Sequence, residues 1–244
     1  MGDQESRTAE LARGLGEVRD RLRVACSAAG RSPDEVELLV VTKFFPAEDV
    51  VRLIDLGERE FGESREPEAG RKVAQVRAER SEPAVFDMIG RLQRNKAKTV
   101  AGWARCVHSL DSERLATALD TAAAAARDDG VRHDPLDVLI QVSLDGDTSR
   151  GGVAADDLDP LAQHVASADA LRLRGLMCIA PLEGEPERWM HRAATVRAQF
   201  LRSHPDAEVL SAGMSGDLDV AVAYGSTCVR VGTAILGERP IVSP

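Results

Sequence analysis

Aromatic side chains are nearly missing from this chain, with five Phe, two Trp and one Tyr among 244 residues. Val, Leu, Ile and Ala must therefore fill its core. Long hydrophobic runs are absent too. No stretch approaches 18 consecutive apolar residues, which predicts no membrane-spanning helix. Basic residues are outnumbered, 31 Lys and Arg against 40 Asp and Glu, for a formal charge of −9. Most of the surface then repels nucleic acid and anionic membranes. Segment 1–31 is charged throughout, with no hydrophobic h-region or cleavage pattern, so no secretory signal is expected. The few cysteines, Cys26, Cys106, Cys178 and Cys228, are scattered without metal-ligand spacing. Isolated thiols fit a reducing cytoplasm better than a disulfide framework.

What is present is a long alternation. Leu11, Leu15, Val18, Leu22 and Ala25 recur at helical intervals and predict one amphipathic helix over about 5–29. Short apolar runs follow at Leu38–Thr42, Glu60–Phe61, Val85–Ile89, Cys106–Ser109, Val138–Leu144, Leu173–Ile179, Val209–Ser211 and Val229–Val231. Helical patterns lie between them, among them Ala47–Leu56, Ser112–Arg127, Pro186–Ser203 and Asp217–Tyr224. Runs such as "DVLIQVSL" are apolar on both faces, as strands of a parallel sheet are. Eight strand–helix units predict an α/β fold of (β/α)8 TIM type over about 37–239, with the extra helix in front. An open sheet with fewer strands is the other arrangement, because strands two and seven are faint. With no low-complexity linker or composition break, one domain is expected over 1–244.

In such barrels, sites form at the C-terminal strand ends, and phosphate commonly sits on the loops after strands seven and eight. Here those loops read "AGMSGD", with Gly213, Met214, Ser215 and Gly216, and "VGTAILG", with Gly232 and Thr233. Each sets a hydroxyl and a glycine at a helix start, where backbone N–H groups attract an anion. Each residue type is also an ordinary cap or turn former. The two loops at the two expected positions together point to a phosphate. Lys43 closes strand one in "LLVVTKFF" and either reaches solvent or enters the same barrel mouth. A lysine amine beside a phosphate grip suggests pyridoxal 5′-phosphate (PLP), whose aldehyde forms a Schiff base with lysine. Arg230, two residues before Gly232, is placed either to face the pyridine nitrogen or to form an ion pair inside the barrel.

The motifs "VVTKFFPAEDV", "GEREFGES", "IGRLQRNK", "VHSLDS", "VLIQVSLDGDTSRGG", "LRLRGLMCIAP", "LSAGMSGDLDVAVAYGST" and "VRVGTAILGER" occur in that order. With them the chain, from Leu11 to Arg239, resembles the pyridoxal phosphate homeostasis protein family, whose barrel is similar to the N-terminal domain of bacterial alanine racemases. The resemblance implies PLP as cofactor, a Schiff base at Lys43, and phosphate contacts at Ser215, Gly232 and Thr233. It also implies an arginine near the ring nitrogen, Arg230, and site positions at Ser64 and Met214. Three positions depart from the family pattern. Gly62-Glu63-Ser64 stands for the usual Gly-Glu-Asn, Phe86-Asp87-Met88-Ile89-Gly90 for Trp-His-Phe-Ile-Gly, and Arg150 for the lysine of Ser-Lys-Ser/Gly.

Three functions compete: a carrier that buffers or delivers PLP within the cell, an amino-acid racemase, and a barrel for another phosphorylated metabolite. Racemisation needs acid/base groups on both faces of the substrate. Alanine racemases draw one, a tyrosine, from a second domain of the partner subunit. The one tyrosine here, Tyr224, is predicted near the end of helix seven, away from the barrel mouth. The chain also ends at Pro244, directly after the eighth unit. The carrier is therefore expected, without robust catalysis and with PLP-dependent apo-enzymes as possible recipients. No interface stripe stands out, and a monomer is expected. Arg91, Arg94 and Lys98, with Lys96 beside them, fall at helical spacing and read as a solvated helix face rather than a nucleic-acid stripe. His108 ends strand four and reads as a hydrogen-bonded structural histidine. Cys178 and Cys228 read as core.

Overall fold

The computed structural model describes residues 2–181 and 183–238, with side chains from Glu5 onward. Eight parallel strands close a barrel in sequence order: β1 Glu37–Val41, β2 Glu60–Glu63, β3 Val85–Met88, β4 Cys106–Leu110, β5 Leu136–Val142, β6 Leu171–Cys178, β7 Val209–Ser211 and β8 Cys228–Val231. Closure is direct, with Leu39 of β1 opposite Arg230 of β8. The helices are α1 Gly2–Ala28, α2 Ala47–Asp55, α3 Glu68–Glu79, α4 Ala97–Ala101, α5 Glu113–Asp128, α6 Leu158–Ala166, α7 Pro186–Ser203, α8 Leu218–Ala223 and α9 Thr233–Leu236. The (β/α)8 expectation holds over the open sheet, and both faint strands are real.

The core divides by strand face. Outward residues such as Val40, Phe61, Phe86, Val107, Ile140, Leu176 and Val229 are buried with the helices. Inside the barrel, Cys106, Leu139 and Met177 form a small separate apolar cluster. Of the few aromatics, Phe61 and Phe86 pack as a pair with centroids 5.5 Å apart.

The leading helix α1 buries Leu11, Leu15, Val18, Leu22 and Ala25, the stripe read from its spacing. It packs against α8 and α9. Arg21 on α1 donates to the Ser215 carbonyl and pairs with Asp219, tying the helix to the loop after β7. Among the described residues, no helix is long and apolar enough to cross a membrane.

Most strand boundaries differ from the sequence reading by one or two residues, β5 and β6 among them. β5 stops at Val142 rather than Leu144, because Ser143 and Gln141 bond to Val153 of the following loop. Leu144 is buried, which kept its position apolar, but it lies outside the strand. β6 begins at Leu171, two residues early. Its start carries exposed polar residues, and Arg172 pairs there with Asp137 of β5 at 2.6 Å.

The basic stripe is a correction. Arg91 lies in the loop after β3, Arg94 in a single 3-10 turn and Lys98 on α4, so the three share no helix face. Gln93 takes an extended conformation, φ −80° and ψ 140°, which interrupts any helix running from Arg91.

Candidate cofactor site at the barrel mouth

A cavity of about 380 Å³ opens at the C-terminal ends of the strands. Lys43, Ser64, Met214, Ser215, Arg230, Gly232 and Thr233 all line it. The volume suits one aromatic ring bearing a phosphate. Gln141, Gly90, Arg91, Arg150 and Ile179 also line it, although the sequence reading did not name them as site residues. Arg150, at the position of the family lysine, is tethered by Asp145 and Asp147.

Local hydrogen bonds position Lys43. The Thr42 hydroxyl donates to buried Glu63 at 2.6 Å, and Lys72 Nζ donates to both Glu63 (2.6 Å) and the Thr42 carbonyl (2.8 Å). Phe44 follows with φ 70°, in the left-handed region that a bulky residue seldom adopts. This turn leaves Lys43 half-buried in the cavity wall. The chain holds four lysines. Lys72 is committed to Glu63, and neither Lys72, Lys96 nor Lys98 lines this cavity.

The two loops predicted to meet do so. Ser215 Oγ accepts from Ala234 N at 3.4 Å, bridging the loop after β7 to the start of α9. Asp217 braces the first loop by accepting from Met214 N at 2.6 Å. Gly213 has φ 92°, and a Cβ there would lie 2.5 Å from the Ala221 side chain, so only glycine admits this approach. Thr233 opens α9, where a backbone N–H has no intrahelical acceptor.

Arg230 is buried. It forms no ion pair among the described residues, so the salt-bridge alternative fails. Its guanidinium donates to Ser211 Oγ at 2.6 Å and to the Cys178 carbonyl at 2.8 Å, and burial lowers its pKa. Below it the polar bonds continue inside the barrel. Ser211 Oγ lies 3.1 Å from His108 Nδ1, and His108 Nε2 lies 3.1 Å from Asp87 Oδ2. Arg105 grips Asp87 through two bonds, 2.9 and 2.6 Å, and reaches Glu37 at 2.5 Å.

Burial alone would raise the Asp87 carboxyl, but the Arg105 and His108 bonds outweigh it and hold its pKa below the ordinary value. An ionised Asp87 is acceptor-only, which puts the facing proton on His108 Nε2. His108 is thus a buried structural residue in the middle of β4, outside the cavity wall. The aspartate in place of the family histidine has partners on both sides. The sequence did not reveal this chain, because its members come from six strands or strand ends far apart in the chain.

The family model for the alanine racemase N-terminal domain matches residues 15–240. The pyridoxal phosphate homeostasis protein of Mycobacterium leprae (strain TN) is 48% identical over 253 residues, spanning 100% of this chain and 97% of the relative. The chain belongs to the pyridoxal phosphate homeostasis protein family. Two solved structures share the fold of this family member across nearly the whole chain. An unknown protein from Bifidobacterium adolescentis has 32% identity and a TM-score of 0.84, covering 94% of this chain and 96% of that one. PipY of Synechococcus elongatus PCC7942, solved with PLP bound, has 29% identity and a TM-score of 0.77, covering 93% and 100%.

Proposed function

We propose that this protein binds PLP through Lys43 and serves intracellular PLP homeostasis as a single-domain, monomeric cytoplasmic carrier. It would buffer the cofactor or deliver it to PLP-dependent apo-enzymes without robust catalysis of its own. One observation carries the reading: a single lysine of the four lines the cavity that also holds both glycine–hydroxyl loops and a buried arginine. The residues fit the cofactor. Ser215, Gly232 and Thr233 would hold the phosphate with hydroxyl and backbone N–H groups, and Ser64 and Met214 would border the ring.

PLP, when bound, supplies an aldehyde that condenses with an amine and a ring that withdraws electrons. Lys43 provides the amine. Arg230, cationic and without a carboxylate partner, would face the ring nitrogen and keep it unprotonated, since adjacent positive charges repel. That weakens the ring as an electron sink and favours holding over turnover. Tyr224 supports the same reading: its hydroxyl donates to Glu187 at 3.0 Å on the outer helices, away from the cavity.

The test is a spectrum of the purified protein supplied with PLP, before and after borohydride, with mass analysis of the reduced peptide. Modification of Lys43, absent in Lys43→Ala and retained in Lys72→Ala, is expected. A colourless protein after PLP addition would favour another phosphorylated ligand. Interconversion of amino-acid enantiomers at about 1 s⁻¹ or faster would make it a racemase.

A further inference from the structure

A second and larger cavity, about 990 Å³, adjoins the first and shares Ser64 and Arg91 with it. Its walls come from the loops after β2, β3 and β4, so the motifs "IGRLQRNK" and "VHSLDS" converge on it. The PLP reading leaves most of these residues unused. Five cations surround the cavity: Arg65, Arg91, Arg94, Lys96 and Arg114.

Among the described residues none of the five forms an ion pair, although the chain has an acidic excess. Arginines elsewhere divide: Arg80, Arg105 and Arg172 pair with a carboxylate, whereas Arg59, Arg132 and Arg197 donate to backbone carbonyls. Gathering five like charges around one concavity costs repulsion, and an anion between them would relieve it.

Two carboxylates share the wall. Glu66 Oε1 accepts from the Trp103 indole at 2.5 Å while its buried Oε2 has no hydrogen-bond partner among the described residues, and burial pushes the carboxyl up against the opposing pull of the indole bond. Asp111 stands beside the Ser112 hydroxyl. The balance remains positive.

We infer that this cavity is a second anion site, adjoining the Lys43 pocket, that takes a phosphorylated small molecule. The concave shape and volume match small-ligand pockets rather than a flat protein-docking face. The buried side chains of Met88, Leu92 and Leu115 give an apolar floor for the organic part of a phosphate ester, under a rim of guanidinium groups. The site stands whether or not Lys43 carries PLP.

The probe is inorganic pyrophosphate, which has no aldehyde, measured by calorimetry on protein saturated with PLP and reduced with borohydride. One pyrophosphate per chain is expected. Arg94→Ser/Arg114→Ser should weaken it by at least about tenfold, while the control Arg192→Ser/Arg202→Ser on α7 changes it less than about twofold. Circular dichroism establishes that both variants are folded. No binding, or equal weakening in both variants, overturns the inference. Binding of polyglutamate that pyrophosphate does not displace assigns the cleft to an acidic protein and overturns it too. If PLP fails to attach, the contrast between Arg94→Ser/Arg114→Ser and the α7 control in the unmodified protein still reads the cleft, because neither Arg94 nor Arg114 lines the Lys43 cavity, and this separates its failure from that of the PLP reading.

Discussion

The Arg230 guanidinium donates to the Ser211 hydroxyl at 2.6 Å. Through that hydroxyl a cation on the cavity wall joins His108, Asp87 and Arg105 in one line of hydrogen bonds crossing the barrel interior. The line fixes the guanidinium within the cavity wall, and it ends at the half-exposed Arg105–Glu37 pair. A buried network of this kind rigidifies its members when every polar group has a partner.

Asp87 is the critical member of that line. Asp87→Asn leaves Arg105 and His108 short of a buried anion and should cost about 3 kcal/mol, read from urea unfolding at neutral pH. The pH dependence follows from its depressed pKa. A carboxyl whose folded pKa lies below its unfolded value adds stability above about pH 3.9, lost as pH falls through the folded value. The stability gap between native protein and Asp87→Asn should therefore narrow below pH 4. A gap that stays constant down to pH 2 would contradict the assignment.

All four cysteines are free and buried. Burial pushes the Cys178 and Cys228 thiols up to about 12, far from the thiolate form that reacts. Ellman's reagent should label almost none of them in the folded protein and all of them in guanidinium. Fast labelling of one thiol in the native state would count against this packing.

Removing both hydroxyls that border the two glycine loops tests how the anion is held. Ser215→Ala/Thr233→Ala should weaken retention of PLP by about tenfold while leaving Lys43 modification by borohydride intact. Backbone N–H groups remain to hold the phosphate. An unchanged cofactor off-rate would remove these residues from the site.

Gly213 tolerates no side chain. Gly213→Ala would combine a left-handed backbone with a Cβ 2.5 Å from Ala221, and should destabilise the protein by more than about 1 kcal/mol. Thermal melting reads the loss, and retention of PLP should fall with it because the loop carrying Ser215 must move. A melting temperature equal to that of the parent would show the loop to be more adaptable than its geometry implies.

Much of this architecture was readable from local pattern. Apolar runs of strand length alternate with helical stripes, and a glycine beside a hydroxyl marks each of the last two turns, because each of these signals arises between residues near in sequence. The seven candidate residues were named from such local signals and from the family motifs, and all seven line one cavity. The basic stripe failed because a spacing of three and four says nothing about whether the backbone between is helical, and Gln93 is extended.

Lys43's place in the mouth, the commitment of Lys72 to Glu63, and the line from Arg230 to Glu37 depend on barrel closure. Closure sets β1 against β8 and brings residues from distant strands within hydrogen-bond reach. Local spacing carries no information on such pairings. They arise only when buried polar groups must find partners inside a closed barrel.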